Sequence, residues 1–223
     1  MYIKDLKGLK FPDNAIIKFF FKNNLHNKSN LKVLEFACSN GNNLSLFANY
    51  DYECIGVDLN KENINNANYN FKNVIQAKKY EFFNDDILEF PIKNKNINAD
   101  IFLIPNVINY LKRDDFIKLL KLSKENNMYK ENALFFLRTR SIKDFRYGYG
   151  EKIEHNCFKV IDDTTSELGC INTLYQEYEL IQILKEHLGL FDFKVLNYES
   201  TNVMGDDEIL VNDNDIVIYG KIQ

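Results

Sequence analysis

Glu35, Gly41 and Asp58 are the residues in the first quarter of the chain whose types and spacing point to chemistry. Glu35 lies inside the apolar run LKVLEF (31–36), two residues ahead of a bend of small residues, Ala37, Ser39 and Gly41, at which a helical pattern begins. Small side chains at such a bend let a ligand lie directly on the backbone. Asp58 closes a second apolar run, ECIGVD (53–58), where one carboxylate can accept hydrogen bonds from both hydroxyls of a ribose. An acid ahead of the bend repels a pyrophosphate and suits a cation. The combination predicts a cationic nucleoside as ligand.

Such residues must be held at one edge of a sheet. Short apolar runs alternate with helical patterns, the signature of a parallel sheet with crossover helices. Strands are expected at 31–36, 53–58, YEFF (80–83), ADIFLIPN (99–106) and NALFFLRTR (132–140). Helices are expected at 15–21 and 44–50, after Asn60 as N-cap, over FIKLLKLS with Asp114 or Asp115 as cap, and over TLYQEYELIQILKEHL with Gly189 as C-cap. Two last strands, FDFKVLNYES and DIVIYGKIQ, are joined by the acidic turn at 205–215 and pair antiparallel. In open α/β sheets ligands bind at the carboxyl ends of the strands, where strand order reverses.

A chain of 223 residues, 45% hydrophobic and 14% aromatic, buries its core as one domain over 1–223, with an N-terminal helical segment at about 1–28. The stretch 141–172 is polar and aromatic, broken by Gly148, Gly150 and Gly169, and reads as an irregular insertion or lid. A net charge of −4 and a pI near 5.5 argue against nucleic acid as partner. Cys38, Cys54, Cys157 and Cys170 show no metal-ligand spacing, so no metal is expected. The apolar run at 15–21 contains Lys18 and falls far short of the roughly 20 residues of a membrane span. A reduced, cytoplasmic protein acting on a small molecule, as monomer or homodimer, is expected. Asn, Lys and Ile are abundant throughout, which is read as base composition rather than function.

The stretch Glu35-Phe36-Ala37-Cys38-Ser39-Asn40-Gly41 resembles the first motif, acid-x-Gly-x-Gly-x-Gly, of the class I S-adenosylmethionine-dependent methyltransferases, with Ala and Ser in place of the first two glycines. The resemblance runs over nearly the whole chain, closing antiparallel strands included. It implies a Rossmann-like fold: a mostly parallel seven-stranded sheet with an antiparallel last strand and helices on both faces. It implies S-adenosylmethionine as cofactor, with S-adenosylhomocysteine as product. The implied cofactor residues are Glu35, Phe36, Ala37, Ser39, Gly41 and Asn42 at the bend, Asp58 and Leu59 at the ribose, Asp86 and Ile87 at the adenine, and Pro105 after the fourth strand.

An acceptor has to meet the methyl group at the same sheet edge. Of the four arginines, Arg138, Arg140 and Arg146 fall at or just after the fifth strand. A guanidinium fork recognises carboxylate or phosphate bidentately, so an anionic acceptor methylated on oxygen is expected, against the alternative of a structural ion pair with the acid-rich insertion. Tyr147 and Tyr149 join the acceptor residues, and His155 is the candidate general base. The motifs of base amino-methylation and of pyrimidine carbon methylation are absent, which leaves small metabolites, with sugars or polysaccharide precursors among them. Two other readings stay open: a module that keeps the fold without the chemistry, and a nicotinamide-dependent oxidoreductase, disfavoured because no Gly-x-Gly-x-x-Gly follows the first strand.

Overall fold

The structure is a computed structural model that describes residues 3–162, 167–204 and 209–223. The chain opens with a strap at 3–13, followed by helix α1 (Asn14–Lys22). It continues as β1 (Lys32–Phe36), α2 (Asn42–Ala48), β2 (Glu53–Asp58), α3 (Lys61–Tyr69), β3 (Tyr80–Asn84), α4 (Phe90–Lys93), β4 (Ala99–Pro105), α5 (Arg113–Glu125) and β5 (Tyr129–Arg140). Then follow β6 (Glu151–Glu154), β7 (Cys157–Lys159), β8 (Ile171–Thr173), α6 (Glu177–Leu188), β9 (Phe191–Met204) and β10 (Ile209–Ile222).

Seven strands form one sheet in the order β3-β2-β1-β4-β5-β10-β9. All run parallel except β10, which lies antiparallel between β5 and β9. Strand order reverses between β1 and β4, whose register pairs Val33 with Ile101 and Glu35 with Leu103. A crevice therefore opens at their carboxyl ends.

Side-chain alternation divides the core into two layers. Leu34, Phe36, Ile55, Val57, Phe102 and Ile104 face α5 and α6, packing with Phe116, Leu120, Leu180 and Leu184. Val33, Cys54, Ile101, Leu103 and Phe136 face the other way, onto Phe19 and Phe20 of α1 and Leu44 and Phe47 of α2. Burying β1 and β4 on both faces explains why their sequences are nearly continuously apolar.

Several boundaries differ from the sequence reading. The N-cap position of α5 is Lys112, while Asp114 and Asp115 sit inside its first turn, where carboxylates favour the helix dipole. Asn60 does cap α3, accepting from the N–H groups of Glu62 and Asn63, and Gly189 ends α6 at φ 62°. The expected irregular insertion contains a three-stranded antiparallel sheet, β6-β7-β8, which Thr173 ties to the main body by donating from Oγ1 to the Leu111 carbonyl at 2.6 Å. Part of that stretch, and part of the acidic turn before Asp215, lies outside the described residues. Among the described residues no helix is long and apolar enough to cross a membrane.

Candidate functional site

The loop between β1 and α2 is bent by two non-glycine residues in the left-handed region, Ala37 at φ 54° and Ser39 at φ 49°. These are the two positions where the resemblance led one to expect glycine. Asp58, at the end of β2, holds the bend: its Oδ2 accepts from the Ser39 N–H at 2.8 Å and its Oδ1 from the Asn60 N–H at 2.9 Å. Asn63 adds a contact to Oδ1 at 3.3 Å. A carboxylate has about four acceptor positions. Three being used, Asp58 keeps room for one ribose hydroxyl rather than the expected two.

Glu35 is fully buried at the root of this loop. Its Oε1 accepts from Asn43 Nδ2 at 2.6 Å, while Oε2 has no protein partner. Burial, with the nearby Asp13 and Asp58, pushes its carboxyl up to about 8, against the Asn43 hydrogen bond. A buried acid with one unused oxygen and, among the described residues, no ion-pair partner suits a positively charged ligand.

A cleft of about 650 Å³ opens above the loop, lined by Ala37, Ser39, Asn42, Asn43 and Asn63 on one side and by Pro105, Asn106 and Tyr110 from the end of β4 on the other. The strap supplies the rest, with Leu9, Phe11 and Asp13. Asparagines hold the strap in place: Asn40 accepts from the Leu9 N–H and donates to the Lys7 and Leu9 carbonyls, Asn70 accepts from the Lys7 N–H, and Asn42 donates to the Phe11 carbonyl.

Four of the expected cofactor residues take other places. The Phe36 ring is buried against Phe90 and Phe102, because even positions of β1 face the α5–α6 layer. Gly41 stands at φ 76° with its Cα turned to the core, where a Cβ would come within 2.8 Å of Phe71 and 3.1 Å of Phe82. It supports the loop from behind instead of flooring the cleft. Ile87 packs into the core, and Asp86 is spent on a turn, its Oδ1 accepting from the Leu88 N–H at 2.8 Å. Leu59, beside Asp58, is 73% exposed and free to cover a flat ring.

A second cavity, of about 270 Å³, adjoins the first and shares Asn106 and Tyr110 with it. Arg138, Arg140 and Arg146 all line it, as do Asp144, Asp213, Asp215 and Ser200. The forks expected to be open to an anion are occupied. Arg138 donates to Asp13 at 2.7 Å and to Asp215 at 2.9 Å, Arg140 to Glu167 at 3.0 Å, and Arg146 to Asp144 at 2.9 Å and Asp213 at 3.2 Å. His155 is exposed in the turn between β6 and β7 and lines neither cavity. Tyr147 donates to Asn156 and packs edge-on against Phe158, and Tyr149 donates to Asp162, so both hydroxyls serve the insertion itself.

Residues 33–125 match the family model described as a methyltransferase domain. Over that span the chain is similar to a methyltransferase domain. The fold agrees: an S-adenosylmethionine-dependent methyltransferase of Methanosarcina mazei is 16% identical and superposes with a TM-score of 0.63, covering 89% of this chain and 97% of that one. A second such enzyme, from Archaeoglobus fulgidus, is 17% identical with a TM-score of 0.59, covering 93% of each chain. Magnesium protoporphyrin IX methyltransferase of Synechocystis, solved with bound S-adenosylmethionine, is 10% identical with a TM-score of 0.54 and covers 92% of this chain and 76% of its own. Comparison with curated protein sequences returns no match.

The residues here fit S-adenosylmethionine, the cofactor of the solved enzymes that share this fold: an unused buried carboxylate oxygen for a cation, a loop of small residues, and a strand-end acid with one acceptor position free. The two cavities are also lined by residues that the sequence reading passed over. Asn43 and Asn63 were hidden among many asparagines, and Asp13 was hidden in a segment read only as a helix start. Asp213 precedes and Asp215 opens an expected strand that proves to begin six residues earlier, at Ile209. Of these, only Asp13, directly before the helix at 14–22, carried a local signal, that of an N-cap.

Proposed function

We propose that the methyltransferase transfers a methyl group from S-adenosylmethionine to an oxygen of a small polyhydroxylated acceptor held in the arginine–aspartate cavity. The observation that carries this reading is that Asn106 and Tyr110 line both the cleft and the cavity, so a ligand in one can reach a ligand in the other.

Bound S-adenosylmethionine supplies an electrophilic methyl group on a sulfonium. The chain's own part is alignment and exclusion of water, which dominate an in-line displacement. Glu35 and the Ala37–Ser39 backbone hold the cofactor's polar end, and Asp58 holds its ribose. The cavity walls alternate guanidinium and carboxylate, with three arginines facing three aspartates. Walls that both donate and accept suit hydroxyl groups, whereas an added anion would face carboxylates already engaged by each arginine.

An oxygen nucleophile must lose its proton. Asp215 is the base in this reading: it lines the cavity, and burial pushes its carboxyl above the usual range against the pull of Arg138. Only its Oδ2 is taken up by Arg138, which leaves Oδ1 for an acceptor hydroxyl. The four cysteines, all unpaired, fit a reducing compartment such as the cytoplasm.

The test is methyl transfer from labelled cofactor to a panel of neutral sugars, sugar acids, sugar phosphates and small carboxylates. Neutral polyols should be the better acceptors. Preference for the anionic members would restore the reading of an anion pocket.

A further inference from the structure

The strap does more than border the cleft. Asp13, its last residue and the N-cap of α1, lines the first cleft and is bonded to two residues of the second cavity, Arg138 and Asn106. The Asp13 N–H donates to Asn43 Oδ1 at 2.8 Å, and the Asn43 amide donates in turn to Glu35 at 2.6 Å. On the other side the Asp13 carboxylate accepts from Arg138 Nη1 at 2.7 Å and from Asn106 Nδ2 at 3.2 Å. Arg138 continues the chain to Asp215. A line of direct hydrogen bonds thus runs from the buried carboxyl under the cofactor cleft, through the strap, to the wall of the acceptor cavity.

Capping alone does not account for Asp13. Its Oδ1 accepts from the Ala15 N–H at 2.7 Å, which any Asn, Ser or Thr would do as well. The second oxygen is the one given to Arg138 and Asn106, and the side chain is only 10% exposed. Because Arg138 is shared between Asp13 and Asp215, moving the strap changes the charge around a guanidinium that lines the acceptor cavity. The strap is also bound to the loop at Asn40 and Asn42, next to the residues that meet the cofactor.

We infer that Asp13 is a positioning residue that couples the two cavities: cofactor on the β1–α2 loop fixes the strap, and the fixed strap sets Arg138 for the acceptor. This inference rests on the cofactor reading above. By linkage, the effect of cofactor on acceptor affinity equals that of acceptor on cofactor affinity, and couplings of this kind span about 5- to 150-fold.

The experiment uses the full chain and S-adenosylhomocysteine. With only four arginines, the Nε–H signals in a nitrogen-correlated NMR spectrum are few, and loss of one signal in Arg138→Lys assigns that of Arg138. Titration should shift the Arg138 signal in wild-type protein. In Asp13→Asn, which keeps the helix cap and removes the charge, the Arg138 signal should stay in place on titration while affinity for S-adenosylhomocysteine falls about fivefold or less. The signals of Arg113, Arg140 and Arg146 report whether the variant is folded, and Asp13→Ser serves if it is not. An Arg138 signal indifferent to the ligand in wild-type protein, or equally responsive in both variants, overturns the coupling and leaves the cofactor site standing. No binding of S-adenosylhomocysteine by wild-type protein overturns both.

Discussion

Asp13 and Arg138 are 125 residues apart in the chain and joined by a 2.7 Å ion pair. Arg138 reaches on to Asp215 near the C-terminus, so the beginning, middle and end of the chain meet in one hydrogen-bonded cluster at the carboxyl edge of the sheet. Each partner comes from a different element: the strap before α1, the end of β5, and the reversed strand β10. The reversed strand brings Asp213 and Asp215 over the edge where the parallel strands end, which places carboxylates opposite the arginines of β5 and its following turn.

The buried acid makes stability depend on pH. With the Glu35 carboxyl raised from 4.5 to about 8, the folded chain keeps a proton between those values that the unfolded chain has released. Stability from this group is therefore full below pH 4.5, falls as pH rises through the window, and levels off above about 8. Glu35→Gln should become the more stable protein as pH rises from 5 to 8, by up to about 1.4 kcal/mol per pH unit. Melting curves at several pH values check this; parallel curves would mean that Glu35 is ionised in the folded chain. The same variant should bind S-adenosylhomocysteine more weakly than wild type.

At the bend, Ala37 and Ser39 are held at positive φ. The left-handed region costs a residue with a side chain about 1–2 kcal/mol, and glycine gives back about 0.4–1 kcal/mol through the unfolded chain. Ala37→Gly or Ser39→Gly should each be neutral to stabilising by up to about 1 kcal/mol, a rise of roughly 2–4 °C in Tm. A fall in Tm for both would show that the loop does not hold them strained.

Gly41 behaves differently. Gly41→Val combines positive φ with a Cβ 2.8 Å from Phe71, so about 3 kcal/mol or more of stability should be lost along with cofactor binding. Denaturant melts with and without S-adenosylhomocysteine decide the matter. A variant as stable as wild type that no longer binds would place Gly41 on the ligand side of the loop.

The contrast between Phe36 and Glu35 shows what sequence could tell. The sheet, its order of elements and the loop with its two acids were legible because hydrophobic alternation and strand-end acids are local signals. Which face each residue takes was not: Phe36 follows the acid directly, yet the strand's period of two sends its ring to the core. Asparagine carried the least visible information. The high asparagine content reads as composition, yet Asn40, Asn42, Asn43 and Asn70 tie the strap to the cofactor loop by side-chain to backbone bonds, and no periodicity marks such bonds. The carboxylate partners of Arg138 were equally hidden, since pairing across 77 and 125 residues depends on topology, whereas Arg140 and Arg146 meet Glu167 and Asp144 of the insertion, the ion-pair alternative that the sequence left open.

For the chemistry, Asp215→Asn should lower kcat about 10²-fold or more with cofactor affinity little changed, as loss of a positioned base does. His155→Ala, by contrast, should leave kcat and its pH profile as they are, because His155 lines neither cavity. Steady-state kinetics on the best acceptor of the panel distinguish the two. The reverse pattern would return the base to the insertion.

Calorimetric titration of dialysed protein, separately with S-adenosylhomocysteine and with NAD, tests most directly that the cleft between β1 and β4 is a methyltransferase cofactor site. Saturable one-to-one binding of S-adenosylhomocysteine, weakened roughly ten- to a hundredfold by Asp58→Ala, with no heat from NAD, is the result expected. Binding of NAD in place of S-adenosylhomocysteine, or an Asp58→Ala variant that binds S-adenosylhomocysteine as tightly as wild type, would contradict the assignment.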